Sequence, residues 1–84
     1  MFDEVLVKVI DLLQDFVDDP DVEIDSESLL LNDLGLESLA ILSVFGELEQ
    51  EYGILLPDGL LHSMTRVKDI VRAVLKAGEL STGI

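Results

Sequence analysis

From residue 3 to residue 17 apolar side chains recur at three- and four-residue steps: Val5, Leu6, Val9, Leu12, Leu13 and Phe16, with Asp11, Gln14 and Asp15 between them. That period predicts an amphipathic helix. Asp3 and Glu4 suit its positive N-terminal end. Asp18-Asp19-Pro20 stops it, because the residue before a proline is pushed out of the α region. A second helix is predicted from Ser38 to Tyr52, with Ile41, Val44, Phe45, Leu48 and Tyr52 as its inward stripe and Gly53 as a left-handed C-terminal cap. Pro57-Asp58 turns the chain into a short third helix around Gly59 to Ser63. Thr65 or Arg66 opens the last helix, with Val67, Ile70, Val71, Val74 and Leu75 inward and Gly78 at its end. Residues 79–84 carry no pairing pattern and are expected to form a disordered tail after a single domain over residues 1–78. Without repeats or strand-like alternation, the fold class is all-α. It is a small four-helix bundle, three main helices plus a short third one, with a long loop between the first two.

That long connection, from Asp18 to Asn32, carries Asp18, Asp19, Asp21, Glu23, Asp25 and Glu27, with Val22, Ile24, Leu29, Leu30 and Leu31 interspersed to pin it onto the helices. A calcium loop of the EF-hand type needs a glycine at its sixth position and a glutamate at its twelfth. Starting at Asp19 or Asp21 does not supply both, so no metal site is assigned. On the second helix Leu39, Leu42 and Gly46 form another row, turned partly away from the core stripe because each residue advances about 100° around the axis. An exposed apolar row marks a contact surface, with Gly46 leaving a dent in it. The alternative is that Leu39 and Leu42 seal the loop carrying Leu29 to Leu31 against the helix.

Charge changes the picture further. Five basic residues stand against eighteen acidic ones, a formal net charge of −13. Such a balance argues against nucleic acid and anionic membranes as partners and favours basic protein surfaces. Between Lys8 and Arg66 lie fourteen Asp and Glu residues and no Lys or Arg. A field of one sign can serve solubility alone or steer docking. The absence of cysteine rules out disulfides and thiolate metal sites, so a thiol, if the chemistry needs one, has to come with a cofactor. Met1-Phe2-Asp3-Glu4 lacks the basic start, apolar run and cleavage site of a signal peptide, and no segment approaches bilayer-spanning length. A cytoplasmic monomer without membrane insertion is expected, and the initiating Met1 with the loose tail points to a free-standing protein.

Ser38, where the acidic loop gives way to the second helix, is the candidate for chemistry. A serine in that place is most often only an N-cap. The usual capping box would put Glu or Gln three residues on, where Ile41 stands. Nor is it surrounded as a nucleophile. The only histidine is His62, which has no second ligand or base at useful spacing, and no Gly-x-Ser-x-Gly elbow is present. A hydroxyl without its own base has to be worked on by another protein.

The run Asp33-Leu34-Gly35-Leu36-Glu37-Ser38-Leu39 resembles the signature of acyl carrier proteins and the related peptidyl carrier domains, a Leu-Gly-x-Asp-Ser-Leu core. The likeness continues through Leu48-Glu49, Tyr52, Leu56-Pro57-Asp58 and Thr65-Arg66-Val67, and so covers nearly the whole chain. It implies 4′-phosphopantetheine on Ser38, transferred from coenzyme A by a phosphopantetheinyl transferase. It also implies a non-catalytic carrier that holds acyl or aminoacyl groups as thioesters and presents them to acyl-loading and acyl-transferring enzymes with basic docking surfaces, in fatty-acid, polyketide or related biosynthesis. Glu37, Glu47, Glu49 and Glu51 are then read as steering those partners, and Leu39, Leu42 and Gly46 as a docking strip beside the prosthetic group. Glu37 replaces the usual Asp before the serine. Ala40 and Ser43 stand where housekeeping fatty-acid carriers tend to be acidic, and Gly46 takes the place of a larger apolar residue. These departures point to a specialised carrier in polyketide, nonribosomal peptide or modified-lipid synthesis. The competing reading is an unmodified module of the same fold that binds a helical or basic partner. Retention of Ser38 in an intact turn argues against it.

Overall fold

A computed structural model describes residues 1–82. Helices α1 (Phe2–Gln14), α2 (Ser38–Tyr52) and α3 (Val67–Thr82) are joined by the long first connection and, between α2 and α3, by a short 3-10 helix over Asp58–Ser63. α1 packs chiefly on α3 and less on α2. Val5, Val9 and Leu13 of α1 meet Ile41, Val44, Phe45 and Leu48 of α2 and Val67, Ile70, Val71 and Val74 of α3 in one buried cluster. Leu30, Leu34, Leu36 and Leu56 enter the same core from the connections. Full burial of such side chains stabilises by about 1.5–3 kcal/mol each, so the predicted stripes on the three helices supply most of the driving force. Among the described residues no helix is long and apolar enough to cross a membrane.

The bounds of α2 fall where the periodicity predicts, and Gly53 caps it at φ 62° in the left-handed region. Tyr52, assigned to the stripe, is 39% exposed. α1 is shorter than the pattern predicts. Its last turn tightens into Asp15 N–H→Leu12 O (3.3 Å) and Phe16 N–H→Leu13 O (3.0 Å), and Phe16 is left partly exposed. The last turn holds no basic residue, and Asp15, Asp18 and Asp19 stand at or just beyond the negative end of that helix, which disfavours another turn. At the other end of the chain the pattern predicts a stop at Gly78, whereas α3 runs through it to Thr82. One glycine inside a helix costs only about 1 kcal/mol, which its helix-forming neighbours offset. Gly83 and Ile84, the remainder of the predicted tail, lie outside the described residues.

α3 opens at Val67, later than either predicted start, for a reason visible in its first turn. Asp69 Oδ2 reaches back to accept from Thr65 N–H (3.0 Å) and Arg66 N–H (2.9 Å), which makes Arg66 the cap position. The next two N–H groups are met by the long connection: Val67 N–H donates to Ser28 O (3.1 Å) and Lys68 N–H to Ser26 O (2.9 Å). Leu30 N–H donates back to Thr65 O (2.9 Å), and Leu29 and Arg66 form an antiparallel bridge. The loop is thereby stitched across the N-terminus of α3. Asp69→Ala removes two of these bonds and is expected to cost about 1–2 kcal/mol in urea unfolding. A loss indistinguishable from zero would show that the cap does not determine where α3 begins.

Candidate functional site

The chain enters α2 through a turn that only glycine fits easily. Gly35 has φ 68°, where a side chain would be strained. Asp33 and Leu34 N–H both donate to Leu29 O (3.0 and 3.1 Å), Gly35 N–H to Leu31 O (2.9 Å) and Leu36 N–H to Leu30 O (2.8 Å). Asp33 Oδ2 closes the turn from the side chain, accepting from Leu29 N–H at 2.8 Å. Leu34 and Leu36 drop into the core with Leu30, and Glu37 leaves the turn extended as the N-cap of α2.

Ser38 is therefore the first helical residue and not the cap. It is exposed, and no side chain caps α2. Within the helix the first turn holds no acidic residue, and although the exposed Glu37 carboxylate stands at the N-cap, the positive helix end beside Ser38 favours an added negative group. Ser26, Ser28 and Ser43 are less available, whereas Ser63 is exposed as well but stands in the 3-10 helix, outside the turn. Ser28 is buried, its Oγ accepting from Asp25 N–H and donating to Asp25 Oδ1. Ser43 Oγ donates to Leu39 O at 3.0 Å, and Ser26 is half-buried. Next to Ser38 lies a cleft of about 670 Å³. Leu29, Leu30 and Leu31 of the loop line it, with Leu36, Leu39 and Ile41 beside the serine and Leu61, Met64 and Thr65 beyond. A mostly apolar volume of this size falls within the range that holds small ligands.

The residues read as docking positions are not equivalent. Leu39 is 80% exposed, and an added Cβ at Gly46 would meet open space. Leu42 is half-buried against the core, so it belongs partly to each of the two roles the sequence leaves open. Glu49 Oε2 accepts from Leu56 N–H at 2.8 Å and so holds the segment after α2. Glu51 Oε1 lies 3.1 Å from Lys8 Nζ, tying α2 to α1. Its hydrogen bond and charge raise the Lys8 pKa above the usual lysine value. Burial, then the neighbouring Glu51 charge, raises that of Tyr52. Glu37 and Glu47 are exposed and hold no ion pair among the described residues. His62 is exposed in the 3-10 helix, and no group of three or more His, Cys, Asp or Glu is placed to hold a metal among the described residues.

Leu31, Leu61 and Met64 were not legible as part of this site. Leu31, assigned to pin the loop, is 62% exposed and lines the cleft. One signal was available for the others: Leu60-Leu61 and Met64 crowd a helix too short to bury them all on one face.

The family model described as "Phosphopantetheine attachment site" matches residues 7–74. The chain is 34% identical over 70 residues to the acyl carrier protein of Clostridium acetobutylicum, covering 83% of this chain and 91% of that protein. It is 31% identical over 72 residues to the acyl carrier protein of Rickettsia bellii, covering 86% of this chain and 84% of that one.

Three substitutions separate exposed from packed positions on α2. In urea unfolding, Leu39→Ala is expected to change stability by less than about 0.5 kcal/mol. Leu42→Ala should cost about 1–2 kcal/mol, less than for a fully buried leucine. Gly46→Ala should add about 0.5–1 kcal/mol through helix propensity. A destabilising Gly46→Ala would contradict the open space at that position.

Proposed function

The chain belongs to the acyl carrier protein family and carries its phosphopantetheine attachment site, and from the setting of Ser38 we propose that this serine is the attachment point. The observation that carries the reading is an exposed, uncapping hydroxyl on the first residue of α2, within the turn whose sequence matches the family signature. The residues present fit a phosphate-linked arm. The helix end favours the phosphate charge, and an apolar cleft lies within the lining shared by Ser38. When bound, the group supplies a thiol on which an acyl or aminoacyl unit is carried as a thioester, a function the cysteine-free chain cannot supply itself. Ser38 Oγ contributes the oxygen of the new phosphodiester. With no histidine or carboxylate bonded to it, the base and any metal for that transfer belong to a phosphopantetheinyl transferase.

The chain is thus a substrate and shuttle and not a catalyst, and tethering presents its cargo to each partner enzyme at high effective concentration. Glu37 and Glu47 are the open carboxylates that steer basic partners, while Leu39 and Gly46 form the uncharged contact area, with Leu42 beneath it. Ala40, Ser43 and Gly46 leave the exposed side of α2 poor in charge, and this favours a specialised pathway over housekeeping fatty-acid synthesis.

Intact mass after incubation with coenzyme A and a broad-specificity transferase tests the assignment. Ser38→Ala, which loses no cap, should fold with less than about 0.5 kcal/mol of destabilisation and gain no mass. A mass gain in that variant would move the site elsewhere, and no gain in the wild type would leave an unmodified interaction module. Charge is tested separately with Glu37→Gln and Glu47→Gln, which spare the structural carboxylates of Glu49 and Glu51. Each should slow modification of the wild-type serine about two- to fivefold at low salt and have little effect at high salt. Equal rates at both salt concentrations would reduce the two charges to solubility.

A further inference from the structure

In a chain with five basic and eighteen acidic residues, two of the five cations converge on one carboxylate. Lys68 Nζ donates to Glu27 Oε1 and Oε2 at 3.0 and 2.8 Å. Arg66 Nη1 donates to the backbone oxygen of the same residue at 2.7 Å and stands 3.9 Å from its Oε1. Glu27 belongs to the long connection and the cations to the start of α3, so the pair spans the stitched contact. From there the bonds run without a break to the site. Leu30 N–H meets Thr65 O, Leu36 N–H meets Leu30 O, and Leu36 stands two residues before Ser38. Leu29, Leu30 and Thr65, which flank this contact, also line the cleft.

The grip is of a tunable kind. Side-chain exposures of 61% for Glu27, 41% for Arg66 and 26% for Lys68 leave the pairs open to water and salt. Each such pair is worth at most about fivefold in an equilibrium, and salt screens it. The bundle beneath is held instead by apolar burial, which salt does not weaken. Segments held by few buried side chains and part-exposed hydrogen bonds open locally before the whole molecule unfolds.

We propose that Glu27 is a positioning residue: gripped by Lys68 and Arg66, it clamps the loop wall of the cleft beside Ser38, and loosening that grip opens the cleft while the helical bundle stays folded. The inference rests on the reading of that cleft as part of the carrier site. It is tested, however, on the unmodified chain, where failure of the clamp and failure of Ser38 modification are separate results.

Amide hydrogen exchange followed by NMR is the first measurement. Glu27→Gln should speed exchange about three- to tenfold at Leu30, Val67 and Lys68, whose N–H groups make the stitching bonds, while Val9, Val44 and Leu48 in the bundle keep wild-type rates. Lys68→Met should do the same, and the double variant should be no faster than Glu27→Gln alone. Raising sodium chloride from about 0.05 M to about 1 M should accelerate the same amides in the wild type and not in Glu27→Gln. Access to the cleft is read with Met64→Cys, a half-buried lining position and a unique thiol in this chain. Its reaction with a disulfide reagent should speed up when Glu27→Gln is added. Unchanged exchange at Leu30, or equal acceleration in loop and bundle, or a thiol rate indifferent to Glu27→Gln, would each overturn the clamp.

Discussion

The position of Ser38 depends on one backbone contact, the antiparallel meeting of residues 26–30 with residues 65–68. A helix N-terminus leaves N–H groups without partners, and a long polar connection leaves its own backbone to be satisfied. Here the two deficits cancel. Ser26 and Ser28 carbonyls accept from Lys68 and Val67, and Asp69 takes the two N–H groups before them. Once Leu30 is fixed against Thr65, its buried side chain and carbonyl fix Leu36, and the turn at Gly35 can deliver the next residues in a single direction. The acidic loop therefore has two parts. Residues 18–25 are largely exposed, and residues 26–37 act as a strut between α3 and the start of α2.

Local chemistry was legible wherever one element determines it. The stripe Ile41, Val44, Phe45 and Leu48 and the glycine after Tyr52 set the limits of α2 because amphipathic period and left-handed cap agree. Where two elements share the determination, the sequence is silent. Nothing in Ser26-Glu27-Ser28 announces that their carbonyls will meet the start of a helix some forty residues later. Alternation along Leu29-Leu30-Leu31 does not reveal that only the middle leucine is buried. The start of α3 was misplaced because Asp69 acts backwards from its third position, a contact that the choice between Thr65 and Arg66 as the opening residue did not include. Among the glutamates of α2, spacing alone could not separate Glu49 and Glu51, held by Leu56 and Lys8, from Glu47, which is not.

That separation changes what the acidic composition means. Most of the negative charge lies on α1, on the loop and at the far end of α2. The turn before Ser38 holds Asp33, bonded to Leu29 N–H, and the open carboxylate of Glu37, followed by Leu39, Ala40, Ser43 and Gly46 before Glu47. A long-range field and a contact surface are distinct quantities: the first sets how often a basic partner arrives, the second how long it stays. On the proposed docking, most of the field lies away from the contact, which would speed arrival while leaving no buried ion pair to be desolvated or broken on departure. A shuttle needs that combination.

The hydroxyl itself shows the same economy of roles. Had Ser38 been the N-cap, its oxygen would already accept from a backbone N–H, and loading it would mean first giving up that bond. By assigning the cap position to Glu37, whose extended backbone enters the helix without a side-chain bond, the fold leaves the serine oxygen unengaged at the positive end of α2. The cost falls on helix stability, since three first-turn N–H groups go without a side-chain partner there. It is met by the apolar face of α2, where Ile41, Val44, Phe45 and Leu48 are all buried within two turns. Packing holds the helix so that its first residue need not.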